Sequence, residues 1–221
     1  MCAHADADGH DRRHTRATRG DASGGATLVS LRVLDASGNG ADSGVIAAID
    51  FLAGQVGTTA SPGDVANLSL ETVALDSLDS AVVGLGQTSI RVTIAAGNDT
   101  QNASNYLPAR ANGANVYTVA AFGQLARRDV WASYSNYGQS PVGPVDYAEP
   151  GSSITSTVLN GGYGTKSGTS MAAPHLPESS CSEQPWPTAR SRVTAPTAIL
   201  WARADNPRAC GRGLRRFLSV S

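Results

Sequence analysis

The sequence has almost no lysine: Lys166 stands alone against sixteen arginines. It has no excess charge of either sign, since 17 basic and 18 acidic side chains leave a net charge of −1. That balance excludes nucleic acid and an anionic membrane surface as main partners. It has no apolar run near the roughly 20 residues that cross a bilayer. The first 25 residues are polar and hold no apolar stretch of the kind a secretory leader needs, so no signal peptide is expected in this chain. Cysteine is scarce. Cys2, Cys181 and Cys210 make an odd count without metal-ligand spacing, which excludes both a zinc site and a disulfide framework.

What remains is an ordinary globular composition. The chain has 221 residues, 41% hydrophobic and 16% charged, enough for one domain with a sizeable core. The residues are unevenly spread. Four of the sixteen arginines lie in 1–19 and seven in 176–221. All three cysteines, together with His4, His10 and His14, fall in the same two ends. The stretch between them is rich in Val, Ala, Gly, Ser and Thr. The expected organisation is a flank at 1–23, one coherent piece at 24–175, and an Arg/Pro-rich tail at 176–221.

Within the coherent piece, strand-like and helix-like segments alternate. Ala26 to Leu34 reads as a strand. Asp42 to Gly54 reads as a helix, capped by Asp42 or Ser43, with Val45, Ile46, Ile49 and Leu52 on its apolar face and Gly54 as its stop. Val65–Leu70, Arg91–Ala96 and Val116–Ala121 read as further strands, and Leu75–Leu85 as a second helix with Leu75, Leu78, Val82 and Leu85 in register. Such alternation predicts a parallel sheet covered on both faces. Beyond Ala121 the chain reads as turns, at Tyr134–Gly138, Glu149-Pro150-Gly151 and Asn160-Gly161-Gly162. Ligands of parallel sheets sit at the carboxyl ends of the strands. Gly97-Asn98 follows one such end, and Ser170 lies where a loop enters a helix.

The run Gly168-Thr169-Ser170-Met171-Ala172-Ala173-Pro174-His175 is the most specific text in the chain. Glycine ahead of the serine allows close backbone approach. A serine at a helix start meets free N–H groups and the positive end of the helix dipole. Pro174 inside a helix is costly and needs surroundings arranged for it. A lone Gly-Thr-Ser triplet would be a loop or a helix cap; the eight-residue run closely resembles the serine motif of the subtilases, the subtilisin-like serine proteases. Three other segments resemble that family in the same order. Gly25 to Leu34 is similar to the segment that follows the catalytic histidine, and Ala95-Ala96-Gly97-Asn98-Asp99 to the oxyanion asparagine segment. Val145 to Gly151 resembles the stretch that precedes the serine.

The resemblance implies an α/β fold, a subtilisin-like three-layer sandwich with a mostly parallel central sheet, here incomplete at both ends. It implies a serine endopeptidase that acts as a monomer on peptide or protein substrates through an acyl-enzyme, with secretion expected by family. Ser170 would be the nucleophile. Asn98 and the Ser170 N–H would stabilise the oxyanion. Ser69 and Leu70 would bind the substrate backbone as an added strand, with Ala96 and Gly97 on the opposite wall. Glu71-Thr72 stands where the family has glycines, which alters the primary specificity pocket. Calcium often stabilises the family, but no acidic loop here is distinctive enough to assign a site. Gly161 to Ser167 departs from a phosphate loop, Gly168 to Ala172 lacks the last glycine of a hydrolase elbow, and the sequons at Asn67, Asn98 and Asn102 are formal matches only.

Two motifs of the family do not occur. Neither the aspartate strand nor the His-Gly-Thr-His-Val-Ala-Gly run precedes Ala26; His4, His10 and His14 lie in other surroundings, and His175 belongs to the serine motif as a structural residue. After His175 the family continues with an apolar helix, whereas this chain reads Leu176-Pro177-Glu178-Ser179-Ser180-Cys181-Ser182. One deleted G after a CAC codon converts a codon series for His-Val-Ala-Gly-Val-Val-Leu-Leu into one for this text, so a one-base shift is the expected origin of the tail. Gly9-His10-Asp11-Arg12 admits a similar shift. The chain as written is expected to be inactive or crippled. The other readings are a non-catalytic peptide-binding relative and a gene fragment without a stable fold. Resequencing decides the frameshift: an intact frame carrying Leu-Pro-Glu codons would sink it.

Overall fold

The computed structural model describes residues 27–72, 76–126, 128–138, 143–158, 161–176, 193–194, 198–199 and 216–220. The candidates His4, His10 and His14, Cys2, Cys181 and Cys210 lie outside them.

The centre is a seven-stranded sheet. Its strands are β1 (Thr27–Leu31), β2 (Val65–Leu68), β3 (Arg91–Ala95), β4 (Val116–Leu125), β5 (Arg128–Trp131), β6 (Val145–Pro150) and β11 (Arg216–Val220). The order is β1-β11-β2-β3-β4-β5, with β6 also on β4, and every pair is parallel except β4 with β5. Two small sheets accompany it: a hairpin of β7 (Ile154–Val158) with β8 (Gly162–Lys166), and the two-residue pair β9 (Val193–Thr194) and β10 (Ala198–Ile199). The mostly parallel α/β sheet expected from the sequence is therefore present.

Helix α1 (Asp42–Gly54) and helix α2 (Asp76–Gln87) cover one face. Val45, Ile49 and Leu52 on α1, and Leu78, Val82 and Leu85 on α2, recur at helical spacing and are buried against Ala66, Leu68, Val92 and Ile94. Gly86 lets α2 approach the loop before β4, because a Cβ there would strike the Ala114 carbonyl. The ends of α1 differ in detail from the sequence expectation. Its N-cap is Ala41, with no side-chain capping bond, and Asp42 falls in the first turn. Gly54 is the last helical residue, and Gln55 caps the helix in a right-handed conformation.

The opposite face carries α3 (Thr169–Ala172), packed over β3, β4 and β6. Ala172, Ala173 and Leu176 bury against Ala95, Val119, Ala121 and Tyr147. A turn at Ala173-Pro174 separates α3 from the helical pair His175-Leu176, which relieves the clash a proline would make inside an unbroken helix.

Two parts of the sheet were not expected. The turn-rich stretch after Ala121 contains four strands, and Glu149-Pro150 closes one of them. In β6 the burial alternates, with Val145, Tyr147 and Glu149 inside, so the Pro-Gly signal marks the strand end. The tail supplies β11, which pairs with both β1 and β2 and sends Leu218 and Val220 into the main core. β1, α1 and β2 are consecutive in the chain yet leave one strand's width between them, and residues 216–220 occupy it.

Candidate active site

Ser69, Leu70, Gly97, Asn98 and Ser170 come together at the carboxyl ends of β2 and β3, under the start of α3. They line a cavity of about 320 Å³, with Glu71, Thr72, Ala95, Thr169 and Asp42. Ala96 is not on its wall. Residues alternate sides along a strand, so Ala95 and Gly97 face the cavity, while Ala96 is buried with Ala103, Ala109 and Ala120.

A polar lattice fixes Asn98 against the serine loop. The Thr169 N–H donates to Asn98 Oδ1 at 2.9 Å, and Thr169 Oγ1 donates to the same oxygen at 3.2 Å. The Gly97 N–H donates to Thr169 Oγ1 at 3.1 Å. With its acceptor end taken, the Asn98 amide keeps its two N–H donors, and the residue is exposed and lines the cleft. Asn136 fixes the rest of the loop. Its Oδ1 accepts from the Asp99 and Gln101 N–H groups at 2.9 and 3.0 Å, and its Nδ2 donates to the Ala96 carbonyl at 3.1 Å.

A second chain of bonds holds Ser170 from below. Thr93 Oγ1 donates to Asn67 Oδ1 at 3.1 Å, Asn67 Nδ2 to Ser69 Oγ at 2.9 Å, and Ser69 Oγ to the Ser170 carbonyl at 3.1 Å. Asn67, Ser69 and Thr93 are fully buried, so a broken link would leave an unpaired polar group in the core. The loop ahead of Ser170 is set by Gly151. The Gly168 N–H donates to its carbonyl at 2.8 Å, and a Cβ on Gly151 would sit 2.8 Å from the Gly168 carbonyl and 2.5 Å from Ala121 Cβ.

Thr169, Asn67, Thr93 and Asn136 did not emerge from the sequence. One signal was available for Asn67: a lone amide in Val65-Ala66-Asn67-Leu68, a strand apolar enough to be buried on both faces. Its burial also rules out the formal sequon at Asn67, and Asn102 accepts from the Ser104 N–H at 2.9 Å to cap a short 3₁₀ turn.

Gly97 has φ +102°, and a side chain there would meet Asn136 Nδ2 and Glu71 Oε2. Gly97→Ala therefore combines a left-handed conformation with a clash, and is expected to lower stability by about 1–3 kcal/mol or more; an unchanged urea midpoint would contradict this.

Glu71 reaches over Gly97 with its carboxyl. Burial raises its pKa from 4.5 to about 7, a hydrogen bond and charge repulsion from Asp99 add to the rise, and the Asn98 N–H opposes it. The folded state thus holds a proton between pH 4.5 and about 7 that the unfolded chain has released. Stability from this source is present at low pH and is lost as pH rises through about 7. Glu71→Gln is expected to melt higher than the parent at pH 8 and not at pH 5. Parallel melting curves across that range would overturn the assignment.

His175 bonds through Nδ1 to the Met171 carbonyl at 2.7 Å, and burial lowers its pKa. It is a neutral ring tied to its own helix. Among the described residues, no group of three or more His, Cys, Asp or Glu side chains could hold a metal ion. No helix among them is long and apolar enough to cross a membrane.

The sequence pattern of the subtilase family matches residues 5–179, a span that starts ahead of Gly24 and ends just past His175. The chain is 39% identical over 179 residues to the subtilisin-like serine protease AsES of Sarocladium strictum, covering 79% of this chain and 44% of that protein. It is 44% identical over 149 residues to alkaline serine exoprotease A of Vibrio alginolyticus, covering 67% and 26%. It is 36% identical over 191 residues to an extracellular serine proteinase of a Thermus species, covering 85% and 43%. The chain thus spans less than half the length of these relatives. The crystal structure of a cold adapted subtilisin-like serine proteinase superposes with a TM-score of 0.59 at 41% identity, over 68% of this chain and 50% of that one.

Proposed function

Because this chain belongs to the subtilase family, we propose that its cleft is the nucleophile and oxyanion half of a serine endopeptidase site, with peptide or protein as substrate. The observation that carries the reading is the pinning of Asn98 Oδ1 by Thr169, the residue before Ser170. In this reading the amide donors serve the oxygen of a carbonyl placed over Ser170. Ser170 Oγ adds to the carbonyl carbon and the carbonyl electron pair moves to oxygen. The Asn98 Nδ2–H and the Ser170 N–H stabilise that charge. Collapse expels the amine and leaves an acyl-enzyme, which water hydrolyses. Loss of the equivalent asparagine in subtilisin costs on the order of 10²–10³ in turnover.

The Oγ proton needs an acceptor, and the family's histidine and aspartate motifs do not occur in the sequence. His175 faces the Met171 carbonyl instead. The described residues thus supply the nucleophile and the oxyanion donors, and the reading assigns none of them as the base. The absence of the two motifs from the sequence favours the second reading, a relative that binds peptides without cleaving them. The reading also takes this chain to be secreted; the Thermus relative is called extracellular.

A peptide boronate separates the two readings without requiring turnover. Ser170 Oγ adds to boron and its proton passes to solvent, so the tetrahedral anion occupies the oxyanion position. The boronate should bind the full-length chain more tightly than the matching peptide amide. Ser170→Ala should remove the difference, and Asn98→Ala should shrink it. Equal affinities for boronate and amide in the parent chain would support the binding-only reading and refute the nucleophile.

A further inference from the structure

Glu71 occupies a position that the nucleophile and oxyanion roles leave unexplained. Its Oε2 lies so close to Gly97 that a Cβ there would be 2.6 Å away. Its carboxyl accepts the Asn98 N–H and shares a hydrogen bond with Asp99. The Tyr106 phenol hydrogen-bonds to Asp99 from the far side. Glu71 lines the same cavity as Ser170 and Asn98, and Asp42 of α1 contributes a further carboxyl. Among the described residues that line it there is no lysine, arginine or histidine.

We propose that Glu71 makes this cleft select a peptide with a Lys or Arg side chain at the residue whose carbonyl lies over Ser170. The inference rests on the reading of the cleft as a serine endopeptidase site. Gly97 and Ala95 leave their wall without bulk, and the Glu71 carboxyl lies against Gly97 and supplies charge there. The Glu71 carboxyl, with its pKa raised to about 7, carries a proton below that pH. A cation entering the cavity takes that proton's place, so its binding releases a proton and strengthens as pH rises. The titratable groups facing Glu71 are Asp99 and Tyr106, with Asp42 on the same cavity. The raised Glu71 pKa places the transition near pH 7.

The test uses the full chain and three peptide boronates that differ only in the side chain next to boron: lysine-like, norleucine-like and glutamate-like. Boron on Ser170 fixes the register. At pH 8.5 the lysine compound should bind roughly fivefold more tightly than the norleucine compound, the glutamate compound should bind weakest, and the lysine preference should shrink at pH 6. Glu71→Gln and Glu71→Gly should each bring the lysine-to-norleucine ratio close to one. A boronate advantage over the amide with no lysine preference, or a preference that survives both Glu71 variants, overturns the inference and leaves the nucleophile standing. Loss of any boronate advantage for all three side chains overturns the cleft reading, and this inference with it.

Discussion

Hydrolysis of a fluorogenic peptide by the chain as it stands should fall on the order of 10⁶ below that of an intact subtilase, and Ser170→Ala should lower it little further. In subtilisin, loss of the histidine alone costs about as much as loss of the whole triad, and the residue of catalysis comes from the oxyanion hole and binding. The same logic applies here. With the family's histidine and aspartate motifs absent from the sequence, Ser170 Oγ is expected to attack poorly. The Asn98 amide, held at Oδ1 by Thr169 at 2.9 and 3.2 Å, remains in place. Asn98→Ala should therefore reduce the residual rate more than Ser170→Ala does. Turnover near that of an intact relative, lost on Ser170→Ala, would show that a base reaches Ser170 after all.

Leu218→Asp should abolish cooperative unfolding, or move the urea midpoint further than Gly97→Ala does. Leu218 is 2% exposed and Val220 fully buried, both in the cluster that joins α1, α2, β2 and β3. Truncation of a buried leucine to alanine costs about 2–5 kcal/mol, against a total stability of about 5–15 kcal/mol for a domain. A carboxylate at that position adds the burial of an unpaired charge. It would also loosen β11 from β1 and β2 at once, because both pairings run through Leu218, to Val29 and to Ala66. Leu125→Asp serves as the control, since Leu125 is 69% exposed, and surface changes of that kind stay within about 0.5 kcal/mol. Equal midpoints for the two variants would mean that β11 does not hold the sheet together.

The strand at 216–220 also shows where sequence reading stops. Helix α1 was legible because Val45, Ile49 and Leu52 recur within thirteen residues, and its limits, Asp42 and Gly54, agree with the pattern. The pairing of β11 with β1 joins residues nearly the whole chain apart, and a parallel partner at that distance leaves no periodic trace in the text between them. β6 was hidden for another reason. Glu149-Pro150-Gly151 carries a turn signal, and only the neighbouring β4 shows that its first two residues complete a buried strand.

The site divides in the same way. Ser170, Asn98, Ser69 and Gly97 sit in segments whose composition marks them as motifs, and all four line the cavity. Thr169, Thr93 and Asn136 are common polar residues whose role depends on burial. Each forms hydrogen bonds across the fold, and a sequence does not display burial at a position whose neighbours in space come from other strands. Ala96 shows the converse, a motif residue that alternation turns away from the cleft.

The central claim is that Ser170 is a nucleophile in an oxyanion site of a chain whose sequence does not carry the family's histidine motif. Imidazole supplied in solution tests it most directly. Added imidazole should raise the rate of fluorogenic peptide hydrolysis by the parent chain in proportion to its neutral form, and should leave Ser170→Ala flat. An equal response in both proteins, or none in either, would contradict the account.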